Sequence, residues 1–180
     1  MKRSQFTVRH MVYCAISAAL ITICAWICVP VLQISFTMQT FAIFFILSLL
    51  GGRCGFLSIG LYLLLGAVGL PVFSGFQGGA GILLGVTGGY IWGFLAAALA
   101  YWVITALFGH KLPIRLLSSA LGMLLCYTCG TAWYQTVYAQ NSLWAVLATC
   151  VIPYLLPDAV KIILALYLAD RIKKAAPKLF

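Results

Sequence analysis

Long apolar runs, punctuated by glycine, proline and basic clusters, divide the chain into six segments near residues 11–28, 38–50, 56–70, 89–108, 116–138 and 143–168. Pro30 stops the first, and Pro71 follows the third. A bilayer core about 30 Å thick is crossed by roughly 20 apolar residues in a helix, which is the length class of most of these runs. The strict apolar–polar alternation of barrel strands is missing, so helices must satisfy the backbone inside lipid. Gly51-Gly52-Arg53-Cys54-Gly55 reads as a tight interfacial turn between the second and third runs. The pattern predicts an all-α integral membrane protein of six transmembrane helices, forming one domain over residues 1–180.

Composition reinforces this class. The 180 residues are 64% apolar and only 7% charged, with no Glu and two acids, Asp158 and Asp170. A soluble domain carries about 25% charged residues, so a water-facing enzyme, a disordered chain and a nucleic-acid-binding domain are excluded despite the net charge of +9. Ten of the eleven basic residues (Lys2, Arg3, Arg9, Arg53, Lys111, Arg115, Arg171, Lys173, Lys174 and Lys178) fall on one side if there are six spans. The opposite loops, roughly 29–37, 71–88 and 139–142, contain no Lys or Arg. The positive-inside rule then predicts a multi-pass protein of the cell membrane with both termini cytoplasmic. The positive charge is a topological signal whose ordinary partner is the lipid headgroup. The first run is too long for a signal peptide and no A-x-A pattern follows it, so it is expected to remain as a span.

Seven cysteines lie within or beside the predicted helices, including Cys126-x-x-Cys129, while His10 and His110 stand at the basic rim. Zinc needs about four convergent N or S ligands, and this spacing does not supply them; the cysteines read as small packing residues. There is no G-x-S-x-G, no H-E-x-x-H and no His at membrane depth. Neither a metal nor a cofactor is expected, and the protein is read as a non-enzyme.

Two charges remain unexplained by topology. Lys161 lies inside the sixth run with Asp158 one turn before it, and residues three apart share a helix face. Counting back from Asp170 at 1.5 Å per residue places Asp158 about 18 Å and Lys161 about 13 Å from the inner boundary. Charges at that depth cost several kcal/mol unless paired and usually mark function. Pro153 and Pro157 precede Asp158, which predicts a broken sixth helix whose second half starts near Pro157 and turns its dipole toward Asp158. Broken helices with ionisable groups near the midplane are typical substrate sites of transporters. The uncharged outer loops add amides and hydroxyls (Gln33, Ser35, Thr37, Gln39, Thr40) and a glycine-rich stretch from Gly75 to Gly89 that lacks the Lys of a phosphate-binding loop. Any energy from ATP must therefore come from another subunit.

The motifs Phe36-Thr37-Met38-Gln39-Thr40-Phe41, Leu63-Leu64-Leu65-Gly66-Ala67-Val68-Gly69-Leu70-Pro71-Val72-Phe73, Thr87-Gly88-Gly89-Tyr90 and Pro157-Asp158-Ala159-Val160-Lys161 occur in this order. Together they resemble the BioY family, the biotin-specific S component of energy-coupling factor (ECF) transporters, over nearly the whole chain. Ser35 and Val86 stand where that family commonly has Pro, and Pro157 directly precedes Asp158 where Pro-Gly-Asp is common. The resemblance implies an S-component fold that captures biotin from outside, with a transmembrane coupling protein and two ATPase subunits as partners. It places the coupling-protein contact on Ala15, Ala18 and Ala19. For the ligand, Asp158 is expected to accept the two ureido N–H groups, and Lys161 to meet either the ureido carbonyl or the carboxylate. Thr37 and Gln39 would add bonds, Tyr90 and the Gly78-Gly79 backbone would contact the ring or tail, and Phe36 and Phe73, with Trp133, would wall the apolar body. An S component for another vitamin, a structural subunit with an internal Asp–Lys clasp and a stand-alone facilitator are the alternatives.

Overall fold

The computed structural model describes residues 8–29, 35–137 and 142–177. Its helices, in chain order, are α1 (Val8–Trp26), α2 (Gln39–Leu50), α3 (Gly52–Ala67), a short α4 (Ala80–Leu83), α5 (Gly88–Phe108), α6 (Leu112–Val137), α7 (Leu143–Cys150) and α8 (Ile152–Ala175). Two-residue strands β1 (Cys28–Val29) and β2 (Phe36–Thr37) pair antiparallel between α1 and α2, with Cys28 opposite Thr37 and Val29 opposite Phe36. The segments α1, α5, α6 and the α7–α8 stretch are long and apolar enough to cross a membrane. The apolar helices α2 and α3 are shorter, at 12 and 16 residues. All-round apolarity is what a lipid solvent demands: large side chains such as Leu64, Leu107, Leu156 and Ile163 point outward without a polar face to cover them.

Two boundaries differ from expectation. The turn between α2 and α3 is a single residue, Gly51, whose φ of +83° suits glycine alone. Gly52 and Gly55 are helical because they serve packing: an added Cβ would lie 2.5 Å from the Trp102 Cα at Gly52 and 2.7 Å from the Leu47 side chain at Gly55. The sixth span breaks at Val151 (φ −124°, ψ −58°), not near Pro157. Pro153 takes the first turn of α8, where a missing N–H is harmless. Pro157 then lies within the helix and removes only the bond to the carbonyl of residue 153. Asp158 is the seventh residue of α8, beyond the turn in which the helix dipole acts, so its charge must be stabilised by other groups.

The glycine-rich loop before α5 is held from beneath. Phe73 is buried, packs edge-on against Tyr62 at 5.5 Å and lies over Gly66, where an added Cβ would fall 2.0 Å from its ring. Gly66→Ala is therefore expected to lower thermal stability by about 1–3 kcal/mol through overpacking, read as a fall in melting temperature of the purified protein. Trp26 at the end of α1 donates to the Pro71 carbonyl at 2.9 Å and stacks near Phe76 at 4.9 Å, tying the loop to the first helix.

At the other end of the bundle the rim charge expected of Arg115 is buried instead. Its guanidinium donates two parallel bonds to Asp170, each 2.7 Å, and a third to Ser48 Oγ at 2.7 Å. The fork geometry of arginine suits a carboxylate, and Asp170 is the acid at that end. Lys173 donates to the Ser48 carbonyl at 2.7 Å. One cluster thus joins α2, α6 and α8.

Candidate functional site

The α8 register brings Asp158 and Lys161 to one face, and both are buried. Lys161 Nζ donates to Asp158 Oδ1 at 2.9 Å and to the Thr37 carbonyl at 2.7 Å. It also sits 3.6 Å from the centre of the Phe36 ring, a cation–π contact strengthened by burial. Tyr127 of α6 donates its hydroxyl to Asp158 Oδ2 at 2.7 Å. Both carboxylate oxygens and the ammonium are therefore engaged, which is what a buried ion pair needs to offset its desolvation.

The β1–β2 hairpin carries Phe36 and Thr37 over the start of α2, and this is how residues more than 120 positions apart meet. Gln39, in the first turn of α2, is oriented from both sides of its amide. Its Nε2 donates to Tyr62 Oη at 2.7 Å, and its Oε1 accepts from Thr37 Oγ1 at 3.0 Å. A cleft of about 80 Å³ opens over these groups. Asp158, Lys161, Thr37 and Gln39 form its polar side, while Ile91, Phe94, Met123 and Cys126 form an apolar side. Tyr90, Tyr127 and Tyr154 place aromatic rings at its edge. A mainly apolar cavity with few, fixed polar groups is the usual form of a small-molecule site.

Of the residues expected at the site, Asp158, Lys161, Thr37, Gln39 and Tyr90 line the cleft, and Phe36 lies beneath Lys161. Phe73 is in the core instead. Gly78 and Gly79 also stand apart from the lining: an added Cβ on Gly78 would meet the Leu70 carbonyl oxygen at 2.2 Å, and Gly79, at φ +98°, donates its amide to the Gly66 carbonyl. Trp133 donates to the Gly85 carbonyl at 3.0 Å and supports the loop. On α1, Ala15 and Ala19 are exposed, whereas Ala18 is 1% exposed and packs into this chain's own core. Cys126 is buried and Cys129 exposed, so the two thiols do not converge. Tyr127, Tyr154 and Tyr62 were not foreseen from the sequence. A hydroxyl in an apolar span is a weaker form of the anomaly that exposes Asp158, and it was the signal available.

The sequence model of the BioY family matches residues 1–178. The chain belongs to the BioY family. Among BioY proteins it is 34% identical to the biotin transporter BioY of Thermotoga maritima, covering 92% of this chain and 96% of that one. It is 36% identical to a probable biotin transporter BioY of Pyrococcus horikoshii, covering 88% and 93% respectively. The fold matches a crystal structure of the S component for biotin from an ECF-type ABC transporter with a TM-score of 0.85 and 25% identity, over 97% of this chain and 95% of that chain. BioY proteins are transporter components and not enzymes. This member is mostly helical, has the S-component fold and has several helices long and apolar enough to cross a membrane.

Proposed function

We propose that this chain is the biotin-binding S component of an ECF-type uptake transporter, with six transmembrane helices and both termini cytoplasmic. The observation that carries the ligand chemistry is the Asp158–Lys161 pair on the polar side of an otherwise apolar cleft. A ureido head offers two N–H donors and one carbonyl acceptor. Asp158 accepts one N–H by exchanging its bond from Tyr127, Lys161 donates to the carbonyl, and the Gln39 and Thr37 side chains meet the other N–H. Ile91, Phe94 and Met123 cover the sulfur-containing ring and the aliphatic tail. The short helices α2 and α3 are read as spans two and three, and the basic end of the bundle as the cytoplasmic one. ATP hydrolysis belongs to two partner subunits, and a transmembrane coupling protein meets α1 at exposed Ala15 and Ala19, with Ala18 setting the rotation of that helix from inside.

Calorimetry of the purified protein tests this reading: saturable binding of biotin at micromolar ligand is expected, with thiamine and riboflavin inert. No biotin binding, or heat from another vitamin alone, overturns it. Gln39→Leu is expected to weaken biotin binding about tenfold, the value of a neutral hydrogen bond or slightly more. It also leaves the fully buried Tyr62 hydroxyl without the Gln39 amide, at a cost of about 1–3 kcal/mol in stability. Adding Tyr62→Phe should restore the melting temperature and leave the affinity low, separating the two roles in paired calorimetry and thermal-unfolding measurements.

A further inference from the structure

Asp158 is reached from two sides. Inside the bundle it faces the cleft, and on the flank of the bundle it borders a groove of about 580 Å³ between α6 and α8. Leu117, Leu124, Leu155 and Ile163, all exposed, wall that groove, and Ala120 and Ala159 contribute only small side chains to it. Met123, Tyr127 and Asp158 line both spaces. The Tyr127 phenol, bonded to Asp158 Oδ2 at 2.7 Å, is therefore part of the partition between them. The two spaces are unequal. The cleft holds about 80 Å³, well short of the roughly 300–1,000 Å³ of a small-molecule site, whereas the groove falls within that range.

The carboxylate is already in use on both oxygens. Oδ1 accepts from Lys161 at 2.9 Å and Oδ2 from Tyr127, and all three side chains are buried. Oδ2 keeps a second lone pair, but with Tyr127 in place the cleft is too small to bring a ring system up to it. One of the two internal donors must yield to a ligand. Withdrawing Lys161 would leave a buried charge uncompensated, which is costly. Tyr127 is neutral, so its release costs about one hydrogen bond. Its ring borders the α6–α8 groove, and a turn into that groove would widen the cleft in the same movement. We infer that Tyr127 is a built-in competitor for the ligand: its hydroxyl holds the place on Asp158 that a ligand N–H takes, and displacing it toward the groove lowers the affinity. The inference rests on the biotin reading above. It makes Tyr127 an affinity-determining residue of opposite sign to Asp158 and Gln39.

Calorimetry and thermal unfolding of the purified full-length protein, with and without biotin, test this. Tyr127→Phe keeps the ring and removes the competing donor. Its biotin affinity should rise about tenfold, the low end for a hydrogen bond to a charged group, because water in the cleft takes part of the vacated place. Its melting temperature without ligand should fall. At saturating biotin it should meet that of the wild type, since the bound state of neither protein contains the Tyr127–Asp158 bond. A side chain with a structural role alone would lower both melting temperatures and would not tighten binding. Unchanged or weaker binding by Tyr127→Phe, with wild-type binding intact, means that phenol and ligand share the carboxylate; it overturns the inference and leaves the biotin reading standing. Absence of biotin binding by both proteins overturns the biotin reading itself, and the inference with it. If Tyr127→Phe fails to fold, Tyr127→Met, which also lacks a donor, should show the same rise in affinity, and an unchanged or lower affinity there overturns the inference equally.

Discussion

Asp158→Ala should reduce biotin affinity by about one to two orders of magnitude. A hydrogen bond to a charged group contributes about 1.5–3 kcal/mol, and the proposed pose makes one of them to this carboxylate. The change also strands Lys161, whose side chain is 7% exposed, with only the Thr37 carbonyl and the Phe36 ring as partners. Breaking a buried pair from one side costs about 3–5 kcal/mol, so the melting temperature should fall as well. Asp158→Leu/Lys161→Met separates the effects: replacing both charges by apolar groups of similar size is often neutral for folding, so stability should recover while calorimetry still shows no binding. Affinity within tenfold of wild type in the single variant would make the pair an internal clasp between α8 and the hairpin, and the ligand site would have to be sought elsewhere.

The second large effect is expected far from the cleft. Asp170→Ala leaves the Arg115 guanidinium buried with Ser48 as its remaining side-chain partner. Because the Asp170 side chain is 34% exposed, water can reach part of the vacancy, and the loss should lie near the low end for a broken buried pair, about 3 kcal/mol. At about 2–4 °C per kcal/mol for a chain of this size, the melting temperature should drop by roughly 6–12 °C. Arg115→Met/Asp170→Ala should recover most of it. Ligand affinity should be unchanged in both variants, since the cluster and the cleft sit at opposite ends of α2 and α8. A melting temperature within about 2 °C of wild type would show that the cluster is solvated and contributes little.

These two ion pairs also show what a sequence exposes and what it hides. Asp158 and Lys161 were found because charge inside an apolar run has no bland explanation. Arg115 was hidden by the opposite circumstance: at a span end a cation is explained by topology, so nothing hinted that it turns inward to Asp170. The apolar runs placed α1, α5 and α6 to within a few residues. Gly52 and Gly55 were read as a turn because glycine disfavours helices, whereas here its missing Cβ lets α3 close against Leu47 and Trp102. The β1–β2 pair escaped notice because two-residue strands have no periodicity. Composition marked the loop after Pro71 as adaptable but could not show which side faces the cleft, so Phe73 and Gly78, both committed to packing, looked like ligand contacts. Tyr127 was missed because an aromatic in an apolar helix is ordinarily core.

The pairing of Asp158 with a cation on the same helix has an electrical consequence. A unit charge moved across a membrane potential of 100 mV does or requires about 2.3 kcal/mol of work. The two opposite charges travel together on α8, one turn apart, so any displacement of the empty cleft along the field is nearly free of such work. The charge carried through the voltage would then be that of the ligand's own carboxylate, leaving the energised membrane little grip on the carrier itself.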